Sequence, residues 1–257
     1  LTSQELLSCL SRESSCSRQH MFKVLARKRT TGGRVWDTAY VVQPYLADPL
    51  LSKGRKWDVR TYVLVTSVLP MRVLLFTEAI VRYASAPYTA STNLSARSSF
   101  LTNTYVGKHT LHSGVAPITG SLHELGDGLL DEYGREAATP KGALLDAMRR
   151  SIALLFLSSE PQLQHAYASQ YTHAPHDDDA FRCANCYHLF GVDLIADTHS
   201  ALRIIEVNLA PDLSLSLAAC NERNMATARC QGGSETYDDT KRAVAYNTVR
   251  VVYARQS

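Results

Sequence analysis

One stretch, "GRKWDVRTYVLVTS" at residues 54–67, most strongly limits what this chain can fold into. Its β-branched and aromatic residues predict a long β-strand. Because side chains alternate along a strand, Lys56, Asp58 and Arg60 all project from one face, and apolar residues project from the other. Buried charges are costly unless they are paired or used. The charged face is therefore either a solvated edge or a functional site.

The composition is that of an ordinary globular protein, with 45% hydrophobic residues, 20% charged residues and a net charge of +3. No apolar run approaches the roughly 20 residues that span a bilayer, so we expect no membrane partner. The basic stretch "FKVLARKRTTGGRVWD" is typical of a nucleic-acid arm or of a solvated or phosphate-facing segment, and the second alternative is favoured. A chain that begins with Leu favours a start inside a longer protein, which leaves a removed targeting segment open.

Six cysteines without a dense framework indicate a reducing compartment. Cys183 and Cys186 form a CxxC in "RCANC", with His188 nearby. A zinc site needs four ligands, and no second CxxC completes one. We therefore expect buried or unpaired thiols at the start of a strand.

The rest of the chain divides into short strands, loops and two helices. "AYVVQPYL" predicts a strand whose pairing breaks at Pro44, after an irregular or helical lead-in over residues 1–34. "MRVLLFTEAIVRYAS" predicts one strand antiparallel to the charged one, followed by a loop over 85–117. A helix begins after residue 140, with an apolar stripe at positions 144, 145, 148, 152, 155 and 156, and "ETYDDTKRAVAYNTVRVVYA" predicts a closing helix.

"YHLFGVDLIAD" and "LRIIEVNLA" predict a β-hairpin that carries a second polar group. If a turn is centred at residues 199–200, Asp193 lies opposite Glu206, and Gly191 lies opposite Asn208. Two carboxylates and an amide oxygen suit Mg²⁺ that bridges phosphates. A register slip of one residue would separate them, and an exposed hairpin with outward polar residues is the alternative interpretation.

The opposite face of this hairpin carries apolar residues that are expected to face a core: Leu194, Ile205, Val207 and Leu209. On the first strand, Asp58 is expected to hold both Lys56 and Arg60 in place. Arg82 is either a further anion contact or a surface arginine. A cationic strand with a magnesium hairpin suggests phosphoryl transfer from a nucleotide.

Four segments together resemble the tubulin–tyrosine ligase-like family of the ATP-grasp fold, and they extend from about Tyr40 to Leu213. They are "VVQPYLADPLLSKGRKWDVRTYVLVTS", "FTEAIVRYAS", "FLTNTYVGK" and "LFGVDLIAD" with "LRIIEVNLAPDL". The resemblance, closer to the polyglutamylase and glycylase members, implies an α+β fold with antiparallel sheets and packed helices. It also implies an irregular lead-in with a remnant of the central lobe over residues 1–38, and the C-terminal ATP-grasp domain over 39–257.

The resemblance also implies roles for individual residues. Those at the active centre would be Lys56, Asp58, Arg60, Arg82 and Asn103. Those that contact ATP would be Gln43, Tyr45 and Leu46 at the adenine hinge, with Lys56, Arg82 and Ile205. The ligands of Mg²⁺ would be Asp193, Glu206 and Asn208, as the hairpin geometry also indicates.

The chain departs from the family pattern in several places. An N-terminal lobe is missing, and Lys23 with Gly32-Gly33 replaces the usual Lys-Pro strand and phosphate loop. Other departures are Pro44 in the hinge, Ala79 where Gly is usual, Phe100 where His is usual, and Asp212 where Ser is common.

The resemblance implies an ATP-dependent carboxylate–amine ligase. It would add amino acids, glutamate above all, to the tail of tubulin or another acidic protein through an acyl phosphate, in the cytoplasm at the cytoskeleton or cilium. The alternative is an inactive relative that serves as a structural or assembly factor in an axoneme or a mitochondrial ribosome precursor. A nucleic-acid binder that uses the basic lead-in is a third class.

Overall fold

The computed structural model describes residues 22–27, 30–31, 34–35, 39–89, 97–102, 118–137, 141–171, 186–215 and 235–254. The chain divides into two compact units. One comprises residues 1–49 with 89–95, and the other comprises 50–88 with 96–257. The predicted boundary between residues 38 and 39 stays a prediction.

The smaller unit contains a nested β-hairpin. Strand β1 (Phe22–Arg27) pairs antiparallel with β4 (Ala39–Pro44), and β2 (Thr30–Thr31) pairs with β3 (Arg34–Val35) inside it. The prediction of an irregular or helical lead-in is therefore wrong for these residues, because pairing with a β-branched partner strand overrides the weak local pattern. Strand β4 ends at Pro44, as predicted.

The larger unit contains an antiparallel sheet around one long strand. Its strands are β5 (Leu51–Ser52), β6 (Arg55–Val68), β7 (Met71–Leu75), β8 (Ile80–Tyr83), β9 (Ile118–Ser121), β10 (His188–Ala196) and β11 (Leu202–Asn208). The order is β11-β10-β6-β8-β9, and β5 and β7 also pair with β6. The helices are α1 (Arg97–Phe100), α2 (Leu122–Ala137), α3 (Lys141–Tyr171) and α4 (Glu235–Tyr253). The predicted α+β class is confirmed.

The two faces of β6 have different coverings. On one face, Trp57, Val59 and Val63 form the main core with α2 and α3. The predicted stripe of α3 is confirmed at five of its six positions, which lie in or against this core: Leu144, Met148, Ile152, Leu155 and Phe156. Leu145 is half-buried outside this cluster. On the other face, α4 packs against β6, β8 and β9. There Tyr62, Ile80 and Val244 form a smaller apolar cluster. The charged residues occupy the same face nearer the N-terminal end of β6.

Several predicted elements differ from the observed ones. "MRVLLFTEAIVRYAS" forms two strands, β7 and β8, because the chain leaves the sheet at Phe76 and exposes Thr77 and Glu78 before pairing again. Strand β9 and helix α2 were not predicted. Helix α3 continues past Pro161 to Tyr171.

The prediction for the CxxC thiols is wrong at its second cysteine. Cys186 is exposed, and its sulfur is in a disulfide. Cys183 lies outside the described residues. Among the helices that the structure describes, none combines the length and apolar character needed to cross a membrane.

Candidate active site

The charged end of β6 forms a buried ion-pair network with two neighbouring strands. Asp58 and Asp193 are each only 3% exposed, and Arg82 is 7% exposed. Lys56 is buried on the same face of β6, and its backbone carbonyl accepts a hydrogen bond from Ala84 at 2.8 Å. Burial of this kind excludes the solvated edge, and the functional site stays a prediction.

Asp193 on β10 is held by two arginines. Arg60 Nε and Nη2 donate to its two carboxylate oxygens, the Nη2 bond at 2.9 Å, and Arg60 and Asp193 are directly paired across β6 and β10. Arg82 Nη2 lies 3.0 Å from Asp193 Oδ2. A two-pronged arginine–carboxylate pair is among the strongest charged contacts in proteins. The position of this carboxylate is therefore fixed from two sides.

Asp58 lies opposite Arg82 and binds it. Arg82 Nε donates to Asp58 Oδ1 at 2.5 Å, and Thr102 Oγ1 donates to Asp58 Oδ2. The expectation that Asp58 holds Arg60 is therefore wrong, and so is the surface interpretation of Arg82. Directly paired cross-strand residues are closer than residues two apart on one strand, so each carboxylate binds an arginine of its neighbour strand.

The network keeps Arg82 and Asp193 charged. Burial alone would lower the pKa of Arg82, but the charges of Asp58 and Asp193 outweigh it and raise that pKa above its ordinary value. Burial alone would raise the pKa of Asp193, but the hydrogen bond from Arg60 and the charge of Arg82 lower it below its ordinary 3.8. The guanidinium groups of Arg60 and Arg82 and the carboxylate of Asp193 therefore stay charged around neutral pH.

The predicted pairing of the hairpin is confirmed, although its turn differs from the predicted one. Asp193 pairs with Glu206 and Gly191 pairs with Asn208. The turn is centred at His199 and not between His199 and Ser200, with residues 198–200 between Asp197 and Ala201, and Ser200 has φ of 60°. This turn alone would shift the register by one residue.

A β-bulge at Ile205 restores the register. Leu194 pairs with Ile204, whereas Asp193 pairs with Glu206, so Ile205 is the extra residue of β11. Bulges of this kind redirect the side chains that follow. Ile204 packs against the main core, and Glu206 then projects with Asp193 on the site face.

Because of the bulge, the core face of the hairpin differs from the predicted one. Ile204, not Ile205, packs against the main core, together with Leu194. Val207 and Leu209 are exposed, because β11 is the edge strand of the sheet. The prediction that these two residues face the core is wrong.

The other two hairpin residues and the loop after them complete the site. Asn208 Nδ2 donates to Glu206 Oε1 at 3.2 Å. A Cβ atom at Gly191 would lie 2.9 Å from Pro211 Cβ and 3.2 Å from Arg60 Cδ. The side chains of Pro211 and Arg60 therefore contact the backbone of Gly191. Only glycine fills this position without displacing them.

The remaining predicted site residues lie in the smaller unit, at the bulge or outside the described residues. Gln43, Tyr45 and Leu46 are half-buried in the smaller unit, and Gln43 pairs with Lys23 across β1 and β4. Ile205 is half-buried at the bulge, and Asn103 lies outside the described residues. Their roles stay predictions.

Sequence reasoning missed Thr102 and Pro211. Thr102 is part of "FLTN", directly before the predicted Asn103, and its bond to Asp58 ties that segment to the network. Pro211 directly follows the hairpin in "EVNLAPDL". For each of these two residues, the sequence feature that could have indicated a role is its position beside a residue of a predicted motif.

Comparison with known proteins identifies the family of the chain. A family model described as the tubulin-tyrosine ligase family matches residues 12–225. The chain belongs to the tubulin-tyrosine ligase family. This membership places the antiparallel α+β unit in an ATP-grasp-like fold class, as predicted.

Individual relatives in the tubulin-tyrosine ligase family carry names that refer to tubulin. The chain is 32% identical over 176 residues to tubulin monoglutamylase TTLL4 of Mus musculus, a match that covers 67% of this chain and 14% of that protein. It is 30% identical over 222 residues to tubulin polyglutamylase ttll-4 of Caenorhabditis elegans, which covers 82% and 34%. It is 28% identical over 190 residues to tubulin polyglutamylase TTLL13 of Homo sapiens, which covers 73% and 22%. The chain thus spans between about a seventh and a third of the length of these relatives.

Proposed function

We propose that the protein is an ATP-dependent carboxylate–amine ligase that adds glutamate to the tail of tubulin or of another acidic protein. The observation that carries the proposal is the buried network of Asp58, Arg82, Asp193 and Arg60 beside Glu206, in a member of this family. Several charges buried together on one sheet face are expensive for stability alone. Their retention is the expected result where a site must stabilise charged reactants.

The proposed reaction has two steps. A carboxylate oxygen of the acceptor glutamate attacks the γ-phosphorus of ATP, the bond to the β-phosphate oxygen breaks, and an acyl phosphate and ADP form. The amine of the incoming glutamate then attacks the acyl carbon, phosphate leaves, and the amine proton passes to solvent or phosphate. Both steps need positive charge at phosphate oxygens and at substrate carboxylates, because negative charge is concentrated there.

The cationic residues of the network meet that need. Arg60 and Arg82 are each anchored at an aspartate, so their guanidinium groups are pre-oriented before any anion arrives. Lys56 is buried on the same strand face, where its ammonium group would bind phosphate. Pre-oriented charge in a site with little water costs no reorganisation during the reaction.

The donor set on the hairpin fits Mg²⁺ chemically. Asp193, Glu206 and Asn208 offer two carboxylates and an amide oxygen, the hard donors that Mg²⁺ prefers. Mg²⁺, when bound there, would neutralise the phosphate oxygens of the nucleotide. The carboxylate of Asp193 already accepts bonds from two arginines, so it would share its charge between them and the ion.

The names of the relatives support the acceptor and the location. Proteins named tubulin mono- and polyglutamylases match most of the chain, which supports a tubulin tail as substrate and a place at the cytoskeleton or cilium. No comparison supports the mitochondrial alternative.

The test combines ligase assay and nucleotide binding on the full-length protein. Microtubules, ATP, MgCl₂ and radiolabelled glutamate are expected to give ATP-dependent label in the tubulin tails. ATP with Mg²⁺ is expected to stabilise the protein by about 2.7 kcal/mol at a ligand concentration of 100 times Kd. Glu206→Gln is expected to abolish both effects, and Asp131→Asn, which changes an exposed acidic residue of α2, is the matched control.

Label in tail-less tubulin would contradict the proposed acceptor. Absence of both label and stabilisation would reject the ligase. It would then favour the inactive relative that acts in a large assembly, where Glu206→Gln would disturb complex formation instead.

A further inference from the structure

The segment that follows β11 is anchored on α4 by a buried lysine. Lys241 is 2% exposed, and its Nζ donates to the carbonyl oxygen of Ser214 at 2.7 Å. The same Nζ lies 3.6 Å from Asp212 Oδ2 and 4.3 Å from the ring centre of Tyr237. A buried ammonium group needs such partners, because its desolvation is costly.

Asp212 organises the same segment from the other side. Its Oδ1 accepts hydrogen bonds from the backbone N–H of Ser214, at 2.8 Å, and from the Ser214 hydroxyl at 2.5 Å. The side chain of Asp212 is 71% exposed, while Lys241 beneath it is buried. Asp212 therefore joins a surface turn to an interior cation.

Between this anchor and the hairpin lies Pro211, which contacts the site. Its Cβ lies 2.9 Å from the position that a Cβ of Gly191 would take, and Arg60 Cδ lies 3.2 Å from that position. Asn208, three residues before Pro211, ends β11 and binds Glu206. The segment over residues 209–214 thus runs directly from the proposed metal ligands to the anchor on α4.

We propose that Lys241 and Asp212 are positioning residues, which hold segment 209–214 so that Pro211, Arg60 and Asn208 keep their places in the site. This inference rests on the proposed function, because it assigns the two residues a role in metal binding and turnover. Both act through other groups. Neither is assigned a contact with substrate.

A positioning role and a purely structural role predict different results for Lys241→Met. Methionine is apolar and of comparable length, and the carboxylate of Asp212 is 71% exposed, so loss of the cation leaves no buried carboxylate without its partner. A structural role therefore leaves metal binding unchanged in the folded protein. A positioning role lowers metal affinity and kcat even when the protein is as stable as before.

The experiment compares Lys241→Met with Arg242→Met in the full-length protein. Arg242 is the next residue of α4, and it forms an exposed ion pair with Asp239, so it is a matched control for the loss of a cation. Three quantities are measured: hydrogen exchange at residues 209–214, the Kd of Mn²⁺ alone without nucleotide, and kcat and KM for ATP. Asp212→Asn is a second variant that keeps an acceptor for Ser214 and changes an exposed side chain.

For Lys241→Met we expect faster exchange at the Ser214 amide and roughly 10-fold or greater losses in Mn²⁺ affinity and kcat, the range seen when groups that orient metal ligands are removed. KM for ATP and the thermal midpoint of the metal-free protein are expected to change little. Asp212→Asn should give smaller changes in the same direction, and Arg242→Met should give none.

Unchanged exchange and Mn²⁺ affinity in both test variants would overturn the inference. Equal effects in Arg242→Met would also overturn it. If the exchange and Mn²⁺ effects occur but the wild-type protein has no ligase activity, the positioning role stands and the proposed function fails. If the wild-type ligase is active and Lys241→Met matches it in every measurement, the positioning role fails alone.

Discussion

At Asp58 and Val59 the two faces of β6 are both buried, but they are chemically different. Val59 is fully buried in the apolar core, and its neighbour Asp58 is only 3% exposed on the other face. Apolar burial stabilises the fold by about 25 cal/mol per Å² removed from water. The charged face offsets desolvation by pairing instead. The same strand therefore carries one apolar face for stability and one charged face that we propose is the site of the chemistry.

Arg82→Met is the strongest test of this difference between the two faces of β6. This change leaves two buried carboxylates with fewer partners, so we expect about 3–5 kcal/mol of destabilisation in denaturant unfolding and loss of ligase activity. The control is Arg203→Met. The side chain of Arg203 is 65% exposed, so loss of its ion pair with Asp197 should lower the free energy of unfolding by at most about 1 kcal/mol.

A double variant, Arg82→Met with Asp58→Leu, sharpens this prediction. It removes both partners of one pair, so most of the lost stability should return, within about 1 kcal/mol, while activity stays lost. Equal destabilisation in the single and double variants would show that the charged face contributes to stability as the apolar face does.

On the apolar face, Val59→Ala tests the complementary property. Removal of two buried methyl groups should lower the free energy of unfolding by about 2 kcal/mol. Because Val59 projects away from the charged residues, kcat of the folded protein should stay within about twofold. A large loss of kcat with little loss of stability would contradict the division between the faces.

The smallest effect is expected in acid. The pKa of Asp193 is lowered in the folded protein, so its pairing stabilises the fold above the pKa of the unfolded chain and is lost as the pH falls through the folded value. Wild-type protein should therefore lose stability below about pH 4. Asp193→Asn, which cannot titrate, should show a smaller loss over the same range in unfolding curves. Identical pH profiles would contradict the lowered pKa.

The local pattern of the sequence was enough to predict the faces of β6. Alternation separates Asp58 from Val59 whatever the strand pairs with, so the structure confirms that division. The partner of Asp58 could not be predicted the same way, because it depends on β8 pairing beside β6 in one register. The anchor at Lys241 was equally hidden, since it joins residues 27 positions apart in the sequence through the packing of α4.

The hairpin shows a prediction that is right although its premise is wrong. Asp193 was placed opposite Glu206 on the assumption of a turn centred between His199 and Ser200, whereas the observed turn is centred at His199 and the bulge compensates for the difference. Turn length and bulges depend on backbone conformations, such as that of Ser200, which residue type alone specifies poorly.

The bulge at Ile205 also affects which changes in chain length the hairpin can accommodate. It lies between the tip of the hairpin and the carboxylates. The alternation of side chains near the tip is therefore independent of the alternation at the site. A one-residue insertion or deletion at the tip can be absorbed by gain or loss of the bulge, without reversing the direction of Glu206. Length polymorphism at the tip and constancy of the site residues are therefore compatible in this hairpin.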